Sequence, residues 1–423
     1  MRRLVSDVSL TALSQVTAML SLIAIQVFLA RSVSIEEFGR LAAALALVQL
    51  VEAALVARGT EAALQLLGQH FAGGDGVLKA VSRQLIRYEF IISGVGYLAF
   101  AGLALVFAPY FKADGILVAV LAVSILLQVN YGMRKSLFVL HHRIRRQAIF
   151  EITFAMLQVL VTAPLIWFFG AWGLVTGVVG SAALKNCLVH LWTDQLWLGP
   201  RLAPSVPLGP AVKHTILISS FHSVTRNILA SGAANADVLL LAAIGRPESV
   251  ALYRVAKSLA TVPVKAATPL WVVLRPQLLS ALTSNNYDKF CALIVKAACF
   301  FAAASVLALI ATALLGGTLL VRLYGAPYFA ALPALISLVV GACALGAVTG
   351  WLLFTATIAA RKTISTSIFA LQLILICAAG WLFGTSESGM ALVVAGCNIT
   401  VAVVAWWALL TGRFRNKSAL ESS

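Results

Sequence analysis

Residues 233–275 read AANADVLLLAAIGRPESVALYRVAKSLATVPVKAATPLWVVLR. They form two long apolar segments joined by a short polar loop, Gly245-Arg246-Pro247-Glu248. About twenty apolar residues are enough to cross the hydrocarbon core of a bilayer as a helix. The stretch therefore predicts two membrane spans. The second span is unusual because it carries four cations: Arg254, Lys257, Lys265 and Arg275.

The rest of the chain has the same apolar character. It has 423 residues, of which 61% are hydrophobic and only 11% are charged, and its mean hydropathy is +0.97. Soluble domains are about half apolar and a quarter charged. We therefore predict an all-α polytopic membrane protein. Nearly the whole length is needed for the spans, which leaves no room for a soluble catalytic domain.

Apolar windows predict about twelve spans. They lie near residues 9–30, 41–57, 87–109, 115–133, 149–169, 171–192, 215–241, 250–274, 290–320, 329–354, 363–384 and 388–410. A segment with four prolines, residues 194–213, separates the first six spans from the last six, because prolines at this density cannot continue a helix. The predicted organisation is an N-terminal lobe over 1–193, this cytoplasmic linker, a C-terminal lobe over 214–411 and a cytoplasmic tail over 412–423.

The basic residues predict the orientation. Most of the 31 lysines and arginines fall in loops on the same side as the N-terminus, and such loops are normally cytoplasmic. Both termini are therefore expected in the cytoplasm. The net charge of +16 is accounted for by this topology and by attraction to anionic membrane lipids, and nucleic acid is not expected as a partner.

Small side chains within the spans predict packing and not ligand sites. Gly173 and Gly177 form a GxxxG motif in the sixth span, which is typical of close helix packing. The cysteines all lie in apolar runs without CxxC spacing, which predicts buried thiols and neither a metal site nor a disulfide framework. They are Cys187, Cys291, Cys299, Cys343, Cys377 and Cys397.

The two halves resemble each other. Phe28–Leu47 aligns with Leu240–Leu259, so that Glu36 meets Glu248, and each segment includes the first loop of its half. The identity is low and rich in alanine, and chance similarity is the alternative. With six spans in each repeat, an even number, the two six-helix bundles would have the same orientation in the membrane. They would then be related by a pseudo-two-fold axis along the membrane normal. Two such bundles enclose a cleft, as in a transporter.

Three segments carry a resemblance to a known family. They are FLARSVSIEEFGRLAAALAL from Phe28, ADVLLLAAIGRPESVALYRVAKSLATVP from Ala236, and Arg322–Tyr328. They resemble the polysaccharide transporters of the multidrug/oligosaccharidyl-lipid/polysaccharide exporter superfamily. This resemblance implies a twelve-span, two-lobed MATE-like fold that flips lipid-linked oligosaccharides by alternating access. One departure is Leu41, where the family has an aromatic residue; Tyr253 keeps it in the second half.

The four cations of the eighth span lie on one helical face. At about 100° per residue, all of them fall within an arc of about 100° together with two hydroxyl side chains. A cation at the bilayer centre costs at least about 2.5–3.5 kcal/mol, so this face is expected to line a watery cavity or meet a partner. The predicted diphosphate-binding face comprises Arg254, Lys257, Lys265 and Arg275, with Ser258 and Thr261 as polar neighbours.

The seventh span adds two charged candidates. Arg226 and Asp237 share a face, being eleven residues apart. Arg226 is a further candidate for the cavity. Asp237 is a candidate for ion coupling, and a structural salt bridge to a cation of the eighth span is an alternative of at least equal weight.

The first half offers mainly uncharged polar candidates. Gln15 and Gln26 share a face of the first span, and Gln49 and Glu52 lie in the second. A carboxylate within a span is a functional suspect, so Glu52 is a candidate for ion coupling; a permanent partner for a basic residue is the alternative. Two further acidic residues, Glu89 and Glu151, are interpreted as surface ion pairs.

The resemblance and the basic face together predict a flippase for an undecaprenyl-diphosphate-linked oligosaccharide of O-antigen or exopolysaccharide. The expected location is the bacterial inner membrane, and the expected partners are this lipid-linked substrate, membrane lipids and polysaccharide polymerase or assembly proteins. No cofactor, metal or catalytic constellation is expected. The alternatives are a multidrug exporter of the same superfamily and a membrane-embedded polysaccharide polymerase or ligase.

Overall fold

The computed structural model describes residues 2–55, 75–140, 143–197, 210–263, 274, 278, 287–358 and 362–410. These ranges contain helices and no β-strand. Helices satisfy their backbone N–H and C=O groups internally, as the interior of a membrane requires. The α-helices are α1 Arg2–Ser32, α2 Ile35–Leu55, α3 Asp75–Phe107, α4 Gly115–Leu121, α5 Val123–Leu127, α6 Tyr131–Leu140, α7 Ile144–Trp197, α8 Pro210–Ile244, α9 Pro247–Ala260, α10 Tyr287–Tyr324, α11 Leu332–Ile358, α12 Lys362–Phe383 and α13 Glu387–Leu410.

Length and composition agree with a multi-pass membrane protein. In the described ranges, nine helical stretches are long and apolar enough to cross a membrane. The longest, Ile144–Thr193, has 50 residues. It would measure about 75 Å as a straight helix, more than twice the hydrocarbon thickness of about 30 Å. This stretch must therefore hold two crossings.

The break between these two crossings falls at Gly170. Its φ of 54° and ψ of −123° are not helical, and they reverse the path of α7. Glycine lacks a Cβ and adopts positive φ without strain. The predicted boundary between spans 149–169 and 171–192 is thus confirmed at the residue expected.

The predicted fourth span, 115–133, matches the stretch Gly115–Lys135, which is long and apolar enough to cross a membrane, but its backbone is not one regular helix. The chain forms α4 and α5 there, turns at Asn130 with a φ of 70°, and then begins α6. Asparagine is one of the few residues that tolerate left-handed backbone. The apolar window located the segment correctly, but hydropathy does not reveal the interruptions at Ala122 and at Gln128–Asn130.

The α-carbons divide into two compact units. One comprises Leu13–Asn235, and the other comprises Met1–Ala12 with Ala236–Ser423. The linker's central residues, 198–209, lie outside the described ranges, as do 264–273 of the predicted eighth span. The predicted domain boundaries remain predictions.

An aromatic cluster holds α6 against α7 in the first unit. Tyr131, Phe138 and Phe150 are buried together with Val189. The ring of Phe150 lies 5.8 Å from the ring of Trp192 in an edge-on arrangement, which is a favourable geometry for aromatic pairs. This packing holds the first turns of α7, which begins at Ile144 after the exposed Arg143, against α6.

The core of the second unit is built on α11, which packs most extensively against α13 and also against α9 and α10. Small residues permit the closest approach: a Cβ on Gly341 would lie 2.6 Å from the Cα of Ala395. The short 3-10 helix Ala326–Ala331 also contacts α9. The neighbouring Gly325 has a φ of 110°. As a result, α9 is surrounded by protein, and Tyr253 and Val255 are fully buried.

The two arms of α7 pack at the predicted GxxxG motif. A Cβ on Gly173 would overlap the carbonyl oxygen of Leu165, and one on Gly177 would lie 2.6 Å from Cγ2 of Thr162. The packing interpretation of this motif is confirmed.

Replacing Gly173 by alanine should destabilise the protein. The added methyl group meets backbone atoms that cannot rotate away, and such overpacking costs about 1–3 kcal/mol. The measurement is the apparent melting temperature of the purified protein in detergent. Gly180→Ala, in the same helix, is the matched control because no atom lies within 4 Å of its Cβ position. Equal melting temperatures for both variants would contradict the packing argument.

Candidate functional site

The turn between α8 and α9 places two charged helix segments side by side. Gly245 follows α8, and a Cβ there would lie 2.7 Å from the carbonyl oxygen of Leu241. Arg246 has extended backbone, and Pro247 opens α9, a position where its missing N–H is not needed. The tight turn brings Asp237 on α8 opposite Tyr253 and Lys257 on α9.

Asp237 is the centre of a buried polar cluster. Its Oδ2 lies 2.6 Å from Nζ of Lys257, and its Oδ1 lies 2.7 Å from the same atom. The hydroxyl of Tyr253 donates to Oδ2, and the backbone N–H of Val238 donates to Oδ1 at 2.8 Å. The Asp237 side chain is only 2% exposed. The salt bridge weighed as the alternative for Asp237 is therefore present, and its partner is Lys257.

Arg254 contributes a second positive charge to the same cluster. It lies one turn before Lys257, is half-buried and is within electrostatic range of Asp237. The cluster of Asp237, Tyr253, Arg254 and Lys257, which we call the second-unit charge cluster, contains two cations and one carboxylate. If all three are ionised, it carries an excess of positive charge.

The two predicted hydroxyl neighbours bond to the helix itself. Ser258 donates to the carbonyl oxygen of Arg254 at 2.9 Å, and Thr261 donates to that of Ser258 at 2.9 Å. Their oxygens retain the capacity to accept a hydrogen bond, but their donors are used locally.

The structure leaves three predicted cations unplaced. Lys265 and Arg275 lie outside the described residues. Arg226 is on α8, but its side chain is also outside the description. Their proposed cavity roles remain predictions.

A second polar cluster lies in the first unit. Nε2 of Gln128 donates to Oε1 of Glu52 at 2.7 Å. Glu151 pairs with Lys135 at 2.6 Å and accepts from the hydroxyl of Tyr131 at 3.2 Å. Four elements, α2, α6, α7 and the turn after α5, contribute to this first-unit charge cluster.

Lys185 completes the first-unit charge cluster. Its Nζ lies 4.1 Å from the ring centroid of Tyr131 and 5.1 Å from that of Phe154, distances that allow cation–π attraction. It is within electrostatic range of both Glu52 and Glu151. With Lys135, the cluster has two cations and two carboxylates, so its formal charges balance.

The predicted glutamine candidates lie in the first unit. Gln15 is half-buried, and the side-chain oxygen of Gln26 is buried without a hydrogen-bond donor among the described residues. The main-chain oxygen of Gln49 accepts a hydrogen bond from Ser231 at 3.2 Å. The structure does not by itself assign these side chains to a ligand site.

Two expectations for acidic residues are corrected. Glu89 is 6% exposed, so it is not a surface residue. Glu151 pairs with Lys135 inside the unit, whereas the neighbouring Arg145 and Arg146 are exposed. Proximity in sequence was misleading because the pairing depends on how α6 packs against α7.

Sequence reasoning did not identify several members of these clusters. Tyr253 was noted only as an aromatic position of the family, and Gln128, Tyr131 and Lys185 were not singled out. The spacing of Tyr131 and Lys135, four residues apart on one helix, was an available signal. No local pattern links either residue to Lys185.

Comparison with known proteins identifies a family and a fold. The sequence profile of the family described as polysaccharide biosynthesis protein matches residues 28–333. A mutant form of the Vibrio cholerae MATE transporter VcmN is similar in structure, with a TM-score of 0.68, 14% identity and 99% coverage of both chains. No curated protein matches the chain in sequence at the significance required.

Two further solved structures agree. One, described as the inward-facing conformation of a multidrug resistance MATE family transporter of the MOP superfamily, has a TM-score of 0.65 at 13% identity, covering 98% of this chain and 96% of its own. The other is the eukaryotic MATE transporter AtDTX14, with a TM-score of 0.63, 12% identity and 96% coverage of both chains. The predicted MATE-like fold is confirmed.

Lys257→Met should lower stability, because Asp237 keeps its charge and loses its ion-pair partner. Breaking a buried pair from one side costs about 3–5 kcal/mol. Adding Asp237→Asn to that variant should recover much of the loss. Apparent melting temperature in detergent is the measurement, and Lys296→Met, at an exposed position of α10, is the control. An unchanged melting temperature for Lys257→Met would mean that the ion pair contributes nothing.

Proposed function

The chain belongs to the polysaccharide biosynthesis protein family, and we propose that it is a flippase for an undecaprenyl-diphosphate-linked oligosaccharide. It would carry an O-antigen or exopolysaccharide unit from the cytoplasmic to the periplasmic leaflet by alternating access. Family and fold support a multi-pass membrane transporter. The choice of substrate rests on the charges within the lobes.

The observation that carries the proposal is that the second-unit charge cluster brings two cations of one helix together with one carboxylate. Arg254 and Lys257 lie on α9, where many of the other side chains are apolar and buried, and Asp237 is the carboxylate that pairs with Lys257. A cation within a membrane span is costly unless an anion, a polar partner or water meets it. A diphosphate would supply that anion, and the planar guanidinium of Arg254 suits paired phosphate oxygens.

The first unit arranges its buried charges differently. Arg134 is buried there and donates to the hydroxyl of Thr193 at 3.2 Å. In the first-unit charge cluster, Lys135 and Lys185 are opposed by Glu52 and Glu151. The positions that align with Arg254 and Lys257 are Ala42 and Leu45. We therefore place the diphosphate against the second lobe, where two cations lie one turn apart on the same helix.

The same charges weigh against a multidrug exporter, although the similar solved structures are MATE transporters. A cationic drug would meet Arg254 and Lys257 and would need acidic groups to offset them. Transport of cationic dyes by the purified protein, without transport of lipid-linked oligosaccharide, would favour that alternative. A polymerase or ligase would instead join sugars, which chromatography of the products detects.

Energy coupling is proposed to involve the membrane potential, an ion, or both. An inside-negative potential of 100 mV assists the export of each negative charge by about 2.3 kcal/mol. Protons and sodium are the candidate ions, and Glu52 is the candidate group because it is a carboxylate within a span. The expected setting is the bacterial inner membrane with both termini in the cytoplasm, beside polysaccharide polymerase or assembly proteins.

Deletion of the protein tests the proposal directly. Lipid-linked oligosaccharide should accumulate on the cytoplasmic leaflet, and surface polysaccharide should be lost and then restored by the wild-type chain. Normal surface polysaccharide in the deletion strain would contradict the proposal.

Replacing both Arg254 and Lys265 by alanine should abolish flipping, and Arg254→Ala alone should reduce it at least about tenfold, which corresponds to about 1.4 kcal/mol of lost interaction. Arg254→Lys should retain part of the activity, since the charge remains without the bidentate geometry. The assay is flipping in proteoliposomes with matched protein content. Arg40→Ala is the control, because Arg40 is exposed and pairs with Glu36 on its own helix. Full activity of the double variant would exclude the proposed phosphate face.

Glu52→Gln should separate transport from the ion gradient. Glutamine keeps the shape that meets Gln128 but can neither lose a proton nor attract sodium. Flipping driven by an imposed membrane potential should persist, while stimulation by a proton or sodium gradient should disappear. The measurement is the flipping rate in proteoliposomes with each gradient applied separately. Undiminished stimulation by either gradient would remove Glu52 from the coupling mechanism.

A further inference from the structure

We propose that Lys257 is an exchangeable cation: without substrate it is held by Asp237, and it leaves that carboxylate to bind the arriving diphosphate. Asp237 and Tyr253 are then positioning residues that set how tightly substrate is bound. This inference rests on the proposed function and deepens it, since it assigns a substrate-triggered exchange to the same site.

The hydrogen bonds around Asp237 allow Lys257 to leave. Nζ of Lys257 contacts both carboxylate oxygens, but each oxygen also has a second donor. Oδ1 accepts from the backbone N–H of Val238, and Oδ2 accepts from the hydroxyl of Tyr253. After Lys257 departs, neither oxygen would be left without a donor, which is the costly situation for a buried polar group.

The exposure of the two partners indicates which one moves. The side chain of Asp237 is 2% exposed, whereas that of Lys257 is 20% exposed. Lysine also has a flexible four-carbon stem, while aspartate has a short one. The enclosed carboxylate is therefore the fixed member of the pair, and the longer, more exposed lysine side chain is the one that can move.

Electrostatics favours the exchange once a diphosphate arrives. Arg254 lies within electrostatic range of Asp237 and Lys257, so it attracts the carboxylate and repels the ammonium group. A diphosphate carries more negative charge than one carboxylate and attracts both cations of α9. Moving Lys257 to the phosphate places the two cations around one polyanion and leaves Asp237 beside its two neutral donors.

The depth of Lys257 explains why it is held in the absence of substrate. It lies ten residues after Pro247, about 15 Å along the helix, and so within the predicted eighth span, 250–274. A solitary ammonium group at such depth is costly. Pairing with Asp237 lowers this cost, and the Tyr253 ring centroid at 5.9 Å from Nζ adds a weaker attraction.

The exchange predicts substitutions with opposite effects. Asp237→Asn removes the competing charge, so Lys257 is more available and affinity for a diphosphate should rise about fivefold to tenfold. Tyr253→Phe removes one of the donors that satisfy Asp237, so the carboxylate holds Lys257 more firmly. Affinity should then fall about threefold to tenfold; a tenfold change corresponds to about 1.4 kcal/mol. Neither substituted group would contact the substrate, so a purely structural role predicts no such pair of effects.

The experiment measures binding of farnesyl diphosphate to the purified full-length protein in detergent, with farnesol as the probe that lacks the diphosphate. Wild type, Asp237→Asn, Tyr253→Phe, Lys257→Met and the Asp237→Asn/Lys257→Met double variant are compared after size-exclusion chromatography confirms that each is folded. Glu36→Gln is the charge control, because it also removes one carboxylate that pairs with a cation, but on the exposed start of α2.

The exchange requires higher affinity in Asp237→Asn, lower affinity in Tyr253→Phe, and no gain when Asp237→Asn is combined with Lys257→Met. If Asp237→Asn does not fold, the Tyr253→Phe result decides alone. Unchanged or raised affinity in Tyr253→Phe, or unchanged or lowered affinity in a folded Asp237→Asn, overturns the exchange while leaving the flippase proposal intact. A wild-type protein that neither binds farnesyl diphosphate nor flips the lipid-linked oligosaccharide overturns both.

Discussion

The ion pair between Asp237 and Lys257 imposes the strictest physical demand in the second unit. A carboxylate that is almost fully enclosed has to be met by charge and by hydrogen-bond donors, because desolvation of an unpaired ion is far more costly than any single packing defect. Lys257, Tyr253 and the backbone N–H of Val238 meet that demand. The turn at Gly245 is what allows α8 and α9 to supply these groups together.

The two units solve the burial of charge in different ways. In the first, Glu52, Glu151, Lys135 and Lys185 balance one another, with Gln128 and the Tyr131 ring as uncharged partners. In the second, Arg254 and Lys257 lie one turn apart on α9, with Asp237 as the carboxylate of the cluster. Two neighbouring cations on one helix are suited to meeting a polyanion. This difference between the two clusters is the physical basis of the proposed flippase.

Small residues and backbone breaks determine where helices approach and turn. Gly170 ends one crossing of α7 and begins the next, and Gly173 allows the two arms to approach to contact distance. Gln128, which donates to Glu52, lies in the turn that ends at Asn130, where φ is 70°. The irregular backbone of this region is thus associated with a polar contact, as expected where non-helical segments are enclosed by protein in a membrane.

The sequence by itself determined the class of protein, most helical segments, the turn at Gly170, the packing at Gly173 and Gly177, and the presence of cations on α9. These features follow from hydropathy and from periodicity within one helix. Only the tertiary structure decided which charges meet. Lys257 and Asp237 are 20 residues apart, and Gln128 and Glu52 are 76 apart. Such pairs depend on how separate helices pack, and the periodicity of one helix carries no information about that packing. For this reason Lys257, which its helical position assigned to a cavity face, is found bound to a carboxylate.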